Sequence, residues 1–265
     1  MLRSMHDFHS HLMPAVDDGS QSLAESHYGL ETMVGQGVNV IITTPHIRAS
    51  LTSHSRELED FLKLLDDAWT GLSTLAEEEF PDVRLERGAE VMLDIPFPDL
   101  SDPRLRLAGT NFVLVEFPYM MIPPRSAEAL SEIRAGGWIP IVAHPERYGN
   151  ISANVARVDE WRDAGAYMQV NAGSLVGRYG TTPRRVAWDL LARGAADYLS
   201  SDYHSRGPCD VAECAELLAE RGATAQLSAL GSTNAERLLR GEHPQPVPAL
   251  EMPADPFWRR LLRRS

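Results

Sequence analysis

Cysteine is nearly absent from this 265-residue chain, with only Cys209 and Cys214 present. Five positions apart in a stretch of helical composition, they suit reduced thiols rather than a disulfide framework. Neither heads a Cys-x5-Arg phosphatase loop, because Ala215 and Glu220 stand where the arginine would be. Thiolate ligands for a structural zinc are also lacking. No run approaches the roughly 18 apolar residues of a membrane-spanning helix, and MLRSMHDFHSHL has no apolar signal core, so a cytoplasmic protein without a membrane span is expected. A G-x-x-x-x-G-K-[ST] loop is missing, which leaves nucleotide-driven phosphoryl transfer unsupported. Positive charge is in deficit, and the formal net charge of −12 argues against nucleic acid as a partner.

What is present is enough apolar residue for a full core: 43% hydrophobic against 23% charged, at a length that suits one α/β barrel. Short apolar or β-branched runs at 39–44, 83–85, 112–117, 139–143, 167–170 and 198–200 alternate with amphipathic stretches. That alternation predicts parallel strands with helical crossovers, closing as a seven- or eight-stranded barrel. Ser22 to Glu25 reads as a capping box before a helix stopping at Gly37, Thr182-Pro183 as N-cap and first turn of a helix stopping at Gly194, and Thr233 to Glu236 as a further capping box. Residues 1–241 form the expected catalytic domain. From 242 to 265 a proline-rich tether, with Pro244, Pro246, Pro248, Pro253 and Pro256, leads to a basic tail, FWRRLLRRS, expected to dock on the domain or recruit a partner.

His9 and His11 end the first apolar run, and alternate residues of a strand share a face. His46 ends VIITTPH, Glu90 ends RLERGAE after the third strand, Glu116 ends FVLVE, His144 ends PIVAH, and Asp202 and His204 close YLSSDYH. Asp17 and Asp18 lie in the loop after the first strand. In a parallel barrel the carboxyl ends of the strands meet on one rim, where the active site lies. Five of nine histidines fall in these motifs, and His6, His27, His54 and His243 do not. Buried together, so many imidazoles and carboxylates would repel and desolvate one another without cations, which makes a catalytic centre of two or three divalent ions the expected reading. Mixed imidazole and carboxylate donors suit Mn²⁺, Fe²⁺ or Zn²⁺. Such ions generate hydroxide from water at neutral pH and neutralise phosphoryl oxygens, so phosphate ester hydrolysis is the expected reaction. Arg147 in HPERY and Arg206 after His204 are the candidate catalytic, phosphate-binding cations, with Arg48 and Arg178 as further loop arginines and Asn171 also facing the rim.

In order, DFHSHLMPAVDDG, TTPH, GAE, VLVEF, AHPERY, QVN and SSDYH resemble the polymerase and histidinol phosphatase (PHP) superfamily of metal-dependent phosphoesterases. Within it the chain looks most like the bacterial protein-tyrosine phosphatases of the capsule and exopolysaccharide type, over about residues 6–241. The resemblance implies a distorted (β/α)7, TIM-like PHP barrel with a trinuclear, manganese-type centre. It implies one ion on His9, His11, Glu90 and Asp202, a second on Glu90, Glu116 and His144, and a third on Asp18, His46 and His204, with Arg147 and Arg206 on the phosphate. The implied substrate is phosphotyrosine in a protein, a bacterial tyrosine kinase that regulates exopolysaccharide. Two departures stand out: Ile47 replaces a histidine common in relatives, and the tail from Glu242 lies outside the pattern. A small-metabolite phosphomonoesterase and a catalytically silent metal-binding interaction module stay open as alternatives, as does oligomeric state, a homo-oligomer included.

Overall fold

The computed structural model describes residues 5–151 and 155–251. The chain begins with β1 (Met5–Ser10), α1 (Leu23–Gly35), β2 (Val38–Thr43) and β3 (His46–Arg48), then the 25-residue α2 (Ser55–Glu79). Next come β4 (Arg84–Arg87), β5 (Glu90–Met92), β6 (Phe112–Glu116), α3 (Ser126–Ala135), β7 (Ile139–Ala143), α4 (Ala156–Asp163) and β8 (Tyr167–Asn171). The fold ends through α5 (Ala172–Val176), α6 (Thr181–Ala192), β9 (Tyr198–Ser200), α7 (Val211–Glu220), α8 (Thr224–Ser228) and α9 (Asn234–Leu239). All strand pairings in these sheets are parallel, in the orders β1-β2-β4 and β3-β5-β6-β7-β8-β9. This is a mixed α/β fold with helical crossovers, as the alternation of the sequence predicts.

Two strands are broken where one run was expected. Pro45 follows Thr44 between β2 and β3 and has no N–H to give a ladder, so pairing is interrupted there. On the facing chain Gly88 separates β4 from β5; a Cβ at Gly88 would sit 3.1 Å from Leu107 Cα, so the bend needs glycine. Gly88 N donates to Thr43 O (2.9 Å) and Glu90 N to Pro45 O (3.1 Å), which carries the alignment across the gap. His46 and Glu90 therefore open short strands instead of ending long ones. The far edges approach through Asp202 N to His9 O and His11 N to Tyr203 O, both 2.8 Å, although the ladders do not join into one continuous sheet.

Inward and outward residues alternate along the strands. Phe8, Ile42, Leu114, Ile141 and Tyr198 belong to the inner cluster, whereas Val113, Val115 and Val142 face the helices, where Trp161 and Trp188 are fully buried. Ser22 caps α1 by accepting from Glu25 N, while Glu25 Oε2 takes the N–H of Gln21 (2.9 Å). The other two cap expectations are corrected. The helix α6 starts at Thr181 behind Gly180 (φ +92°), which leaves Thr182-Pro183 inside its first turn. Thr233 is helical and makes no cap, because a π-turn over Ala229–Thr233 runs α8 into α9.

Residues 242–251 are irregular, as their prolines require, yet they pack against the domain. Leu250 N donates to Leu191 O (3.0 Å), the Asn234 side chain bonds Gln245, and Val247 and Leu250 are buried. The basic tail, 257–265, lies outside the described residues. Among the described residues no helix is long and apolar enough to cross a membrane.

Candidate metal centre

Strand register brings the donors together. His46 is the direct partner of Glu90 across β3 and β5, and Met92, two residues on, is the partner of Glu116, so all three donors project from one face. An irregularity in the β1 to β2 register between Asp7 and Ser10 lets Phe8 join the inner cluster while His9 and His11 also turn inward. Asp7 holds that irregularity by accepting from His9 N (3.0 Å) and Ser201 N (2.8 Å); burial pushes its carboxyl up to about 6.

Three overlapping donor groups result: His9, His11, Glu90 and Asp202; His46, Glu90 and Glu116; and His11, Asp18, His46 and His204. Within each, the donor atoms lie within 4.8 Å of one another. Eight of the nine expected ligands are in these groups. His144, the ninth, stands in left-handed conformation (φ 35°) with Nε2 3.1 Å from Glu90 Oε1. Where the resemblance puts His144 with Glu90 and Glu116, the structure sets His46 beside the same two carboxylates, Nδ1 at 3.1 Å from Glu90 and 3.3 Å from Glu116.

The imidazoles are held from behind. His9 Nδ1 donates to Gln169 Oε1 (2.8 Å), His11 Nδ1 to Asp17 Oδ2 (2.7 Å) and His204 Nδ1 to Asp202 O (2.9 Å), which leaves each Nε2 lone pair for the centre. Nε2 of His9 and of His11, Nδ1 of His46 and Oε2 of Glu90 are buried without a hydrogen-bond partner. Three such nitrogens around one unpartnered carboxylate oxygen are costly unless a cation sits among them, and the donor set fits divalent ions of the manganese, iron or zinc kind. The local field agrees. Burial opposes charge on His9, yet Glu90 and Asp202 outweigh it and hold the ring up at about 9, and His11 is held well above its ordinary value. Glu90 and Asp202 are held below the usual carboxylate range in spite of burial, by His9 first and then by His11. Carboxylates that would protonate two buried imidazoles are a site that calls for positive charge.

Beside the donors opens a cleft of about 350 Å³ lined by Asp18, Arg147, Tyr179, Asp202, His204 and Arg206. Arg147 Nη1 donates to Asp202 Oδ2, and its guanidinium carbon lies 4.2 Å from the centre of the Tyr179 ring. Arg206 is exposed on a loop whose Ser205 is left-handed (φ 57°) and is tied by a 2.6 Å hydroxyl contact to Ser20. Arg178 also lines the cleft, but its fork is closed on Asp210, and Arg48 is exposed outside it. His6, His27, His54 and His243 lie apart from the centre, against Glu236, Glu79, Ser50 and Tyr167.

A profile of the capsular polysaccharide synthesis family CpsB/CapC matches residues 5–240. The chain belongs to the CpsB/CapC family. It is 28% identical over 255 residues to the tyrosine-protein phosphatase YwqE of Bacillus subtilis, covering 92% of this chain and 96% of that protein. The tyrosine-protein phosphatase CpsB of Streptococcus pneumoniae is 31% identical over 179 residues, 63% of this chain and 68% of that one. A crystal structure from work on YwqE and CpsB, described as unique metal-dependent tyrosine phosphatases, superposes with a TM-score of 0.76 at 25% identity, covering 94% of this chain and all of that one.

In this CpsB/CapC chain the sequence reading passed over Gln169 and Tyr179. Gln169 lies inside the QVN motif, two residues before Asn171, and period-two spacing puts it on the same inner face, so a signal existed. Tyr179 had none, because it reaches the cleft from the α5 to α6 turn.

Proposed function

We propose that this chain is a metal-dependent phosphatase that removes phosphate from phosphotyrosine in a protein substrate. The observation that carries the reading is the convergence of buried, unpartnered Nε2 and Nδ1 atoms on Glu90 Oε2 beside a cleft lined by three arginines, of which Arg147 and Arg206 are not closed on a carboxylate as a fork. His9, His11, Asp18, His46, Glu90, Glu116, His144, Asp202 and His204 would hold two or three divalent ions, Mn²⁺ by this reading. Ions bound there activate water and offset charge on the phosphoryl group. Arg147 and Arg206 bind the phosphate oxygens and take up charge that develops on them. Gln169, Asp17 and the Asp202 carbonyl keep the imidazoles in one tautomer and orientation. A tyrosinate leaves with a pKa near 10, so the chain need supply no general acid. Relatives named as tyrosine-protein phosphatases support the phosphotyrosine assignment over a small metabolite.

Taking β2 with β3 and β4 with β5 as single interrupted strands makes the architecture a distorted (β/α)7 barrel. The protein works in the cytoplasm on a bacterial tyrosine kinase that governs capsule or exopolysaccharide assembly. Mn²⁺-loaded protein assayed on phosphotyrosyl peptides and small phosphate monoesters tests the central reading; turnover of the small esters alone would overturn it. Elemental analysis with anomalous scattering identifies the ions and counts them.

A further inference from the structure

Two arginines flank the cleft in different states. Arg178 closes its fork on Asp210, with Nε on one carboxylate oxygen and Nη2 on the other. Arg147, facing the more deeply buried Asp202, donates through Nη1 alone, and among the described residues Nε and Nη2 have no protein acceptor. A guanidinium beside a buried carboxylate favours the two-pronged contact. Here Asp202 Oδ1 is turned to His9 Nε2 and His11 Nε2, both at 3.3 Å, so Oδ2 alone faces Arg147 and the rest of the guanidinium edge is left over.

The Tyr179 ring covers the guanidinium face, with 4.2 Å between the guanidinium carbon and the ring centre. Among the described residues Arg178 has no such cover. Tyr179 is itself held by its turn and by the backbone beneath it. Its turn is bounded by two left-handed glycines, Gly177 (φ +98°) and Gly180 (φ +92°). The ring edge rests on Gly173, where a Cβ would come within 3.0 Å of Tyr179 Cε2. Asn171 donates to Asp202 Oδ2 (3.3 Å) and accepts from Gly173 N (2.8 Å), so its amide ties the carboxylate to the glycine on which the ring rests.

We propose that Tyr179 is a positioning residue for Arg147: its ring clamps the guanidinium so that the edge Asp202 does not use stays open to a phosphate in the cleft. This rests on the phosphatase reading for its catalytic consequence, but the binding consequence stands apart from it. Phosphate affinity is then set partly by a ring that never touches the anion.

The test uses the full-length, metal-loaded protein with inorganic phosphate as the probe, measured by calorimetry, alongside kcat and KM on an aryl phosphate. A cation–π contact of this kind is worth about tenfold. Tyr179→Leu should weaken phosphate binding by about tenfold and lower kcat/KM to match, with metal content unchanged. Tyr179→Phe, which keeps the ring, should stay within about threefold of the parent. On an Arg147→Ala background, Tyr179→Leu should cost nothing further. Unchanged phosphate affinity in Tyr179→Leu, or a full additional loss on the Arg147→Ala background, would overturn the proposal. Loss of metal from Tyr179→Leu would also overturn it, since the ring would then be supporting the centre. A parent that binds phosphate in this Tyr179-dependent way but turns over no phosphomonoester leaves the clamp standing and removes the phosphatase reading.

Discussion

His46 and Glu90 face each other in register across β3 and β5, with His46 Nδ1 3.1 Å from Glu90 Oε2. The same Oε2 lies 3.2 Å from His9 Nε2 and 3.4 Å from His11 Nε2. Glu90 is thus a carboxylate on which histidines from the β1 and β3 sides converge.

Removing two of those histidines should disable the centre and spare the fold. His9→Ala/His11→Ala is expected to lose more than about a hundredfold in kcat, a range that partners behind metal ligands alone already reach. A circular dichroism spectrum like the parent's, with metal content reduced, would accompany it; parental turnover would contradict the assignment.

Asp17 acts from behind His11. Burial works to raise its carboxyl, but the His11 ring and the N–H groups of Gly19 and His46 hold it down to about 2. Asp17→Asn keeps the shape and loses the charge, and should weaken metal affinity about tenfold to a hundredfold in a chelator competition.

Stability of the chelated protein should depend on pH in a stated direction. His9 is held up at about 9, against 6.5 when unfolded, so its contribution is fully present below pH 6.5 and is lost as pH rises through 9. Asp7, raised to about 6 by burial, works the same way between pH 4 and 6. Chelated protein should therefore melt lower at pH 9 than at pH 6.5, while metal-loaded protein, with cations replacing the proton, should vary less. Equal pH profiles by scanning calorimetry would count against the cation assignment.

Thiol chemistry should be silent. Cys209 and Cys214 are buried, and burial pushes Cys209 up to about 12. Iodoacetamide at neutral pH should leave activity intact, and so should Cys209→Ser; inactivation by either would point to a thiol nucleophile.

The docked segment 242–251 should contribute to stability and not to turnover. Ending the chain after Gly241 removes buried Val247 and Leu250, and should lower Tm by several degrees, from a loss of about 2 kcal/mol, at unchanged kcat.

Much of this was legible in the sequence for a definite reason. The strands over 139–143 and 198–200 are short, apolar and well bounded, and period-two spacing makes donors such as His9 and His11 share a face. The breaks at Pro45 and Gly88 were not, because TTPH and RGAE read as strand ends, and only the contact of Gly88 with Leu107 shows why the chain must bend there. Tyr179 was invisible for another reason: period and propensity describe elements, and it acts from a turn. The prolines from 244 onward exclude regular structure and so predict a tether within 242–265, although the irregular backbone of 242–251 still packs on the domain.

The two breaks also mark where the strand ladders pass from one sheet to the other. The ladder is interrupted at Pro45 and Gly88, and just beyond them Glu90 meets His9 and His11 while the His46 ring lies 4.5 Å from that of His11, at the end of the neighbouring sheet. A cation shared by these four side chains would act as a rivet across a seam that the backbone leaves partly open. Loading the centre and locking the two halves of the scaffold would then be a single event, so the protein's rigidity would report on its readiness to work.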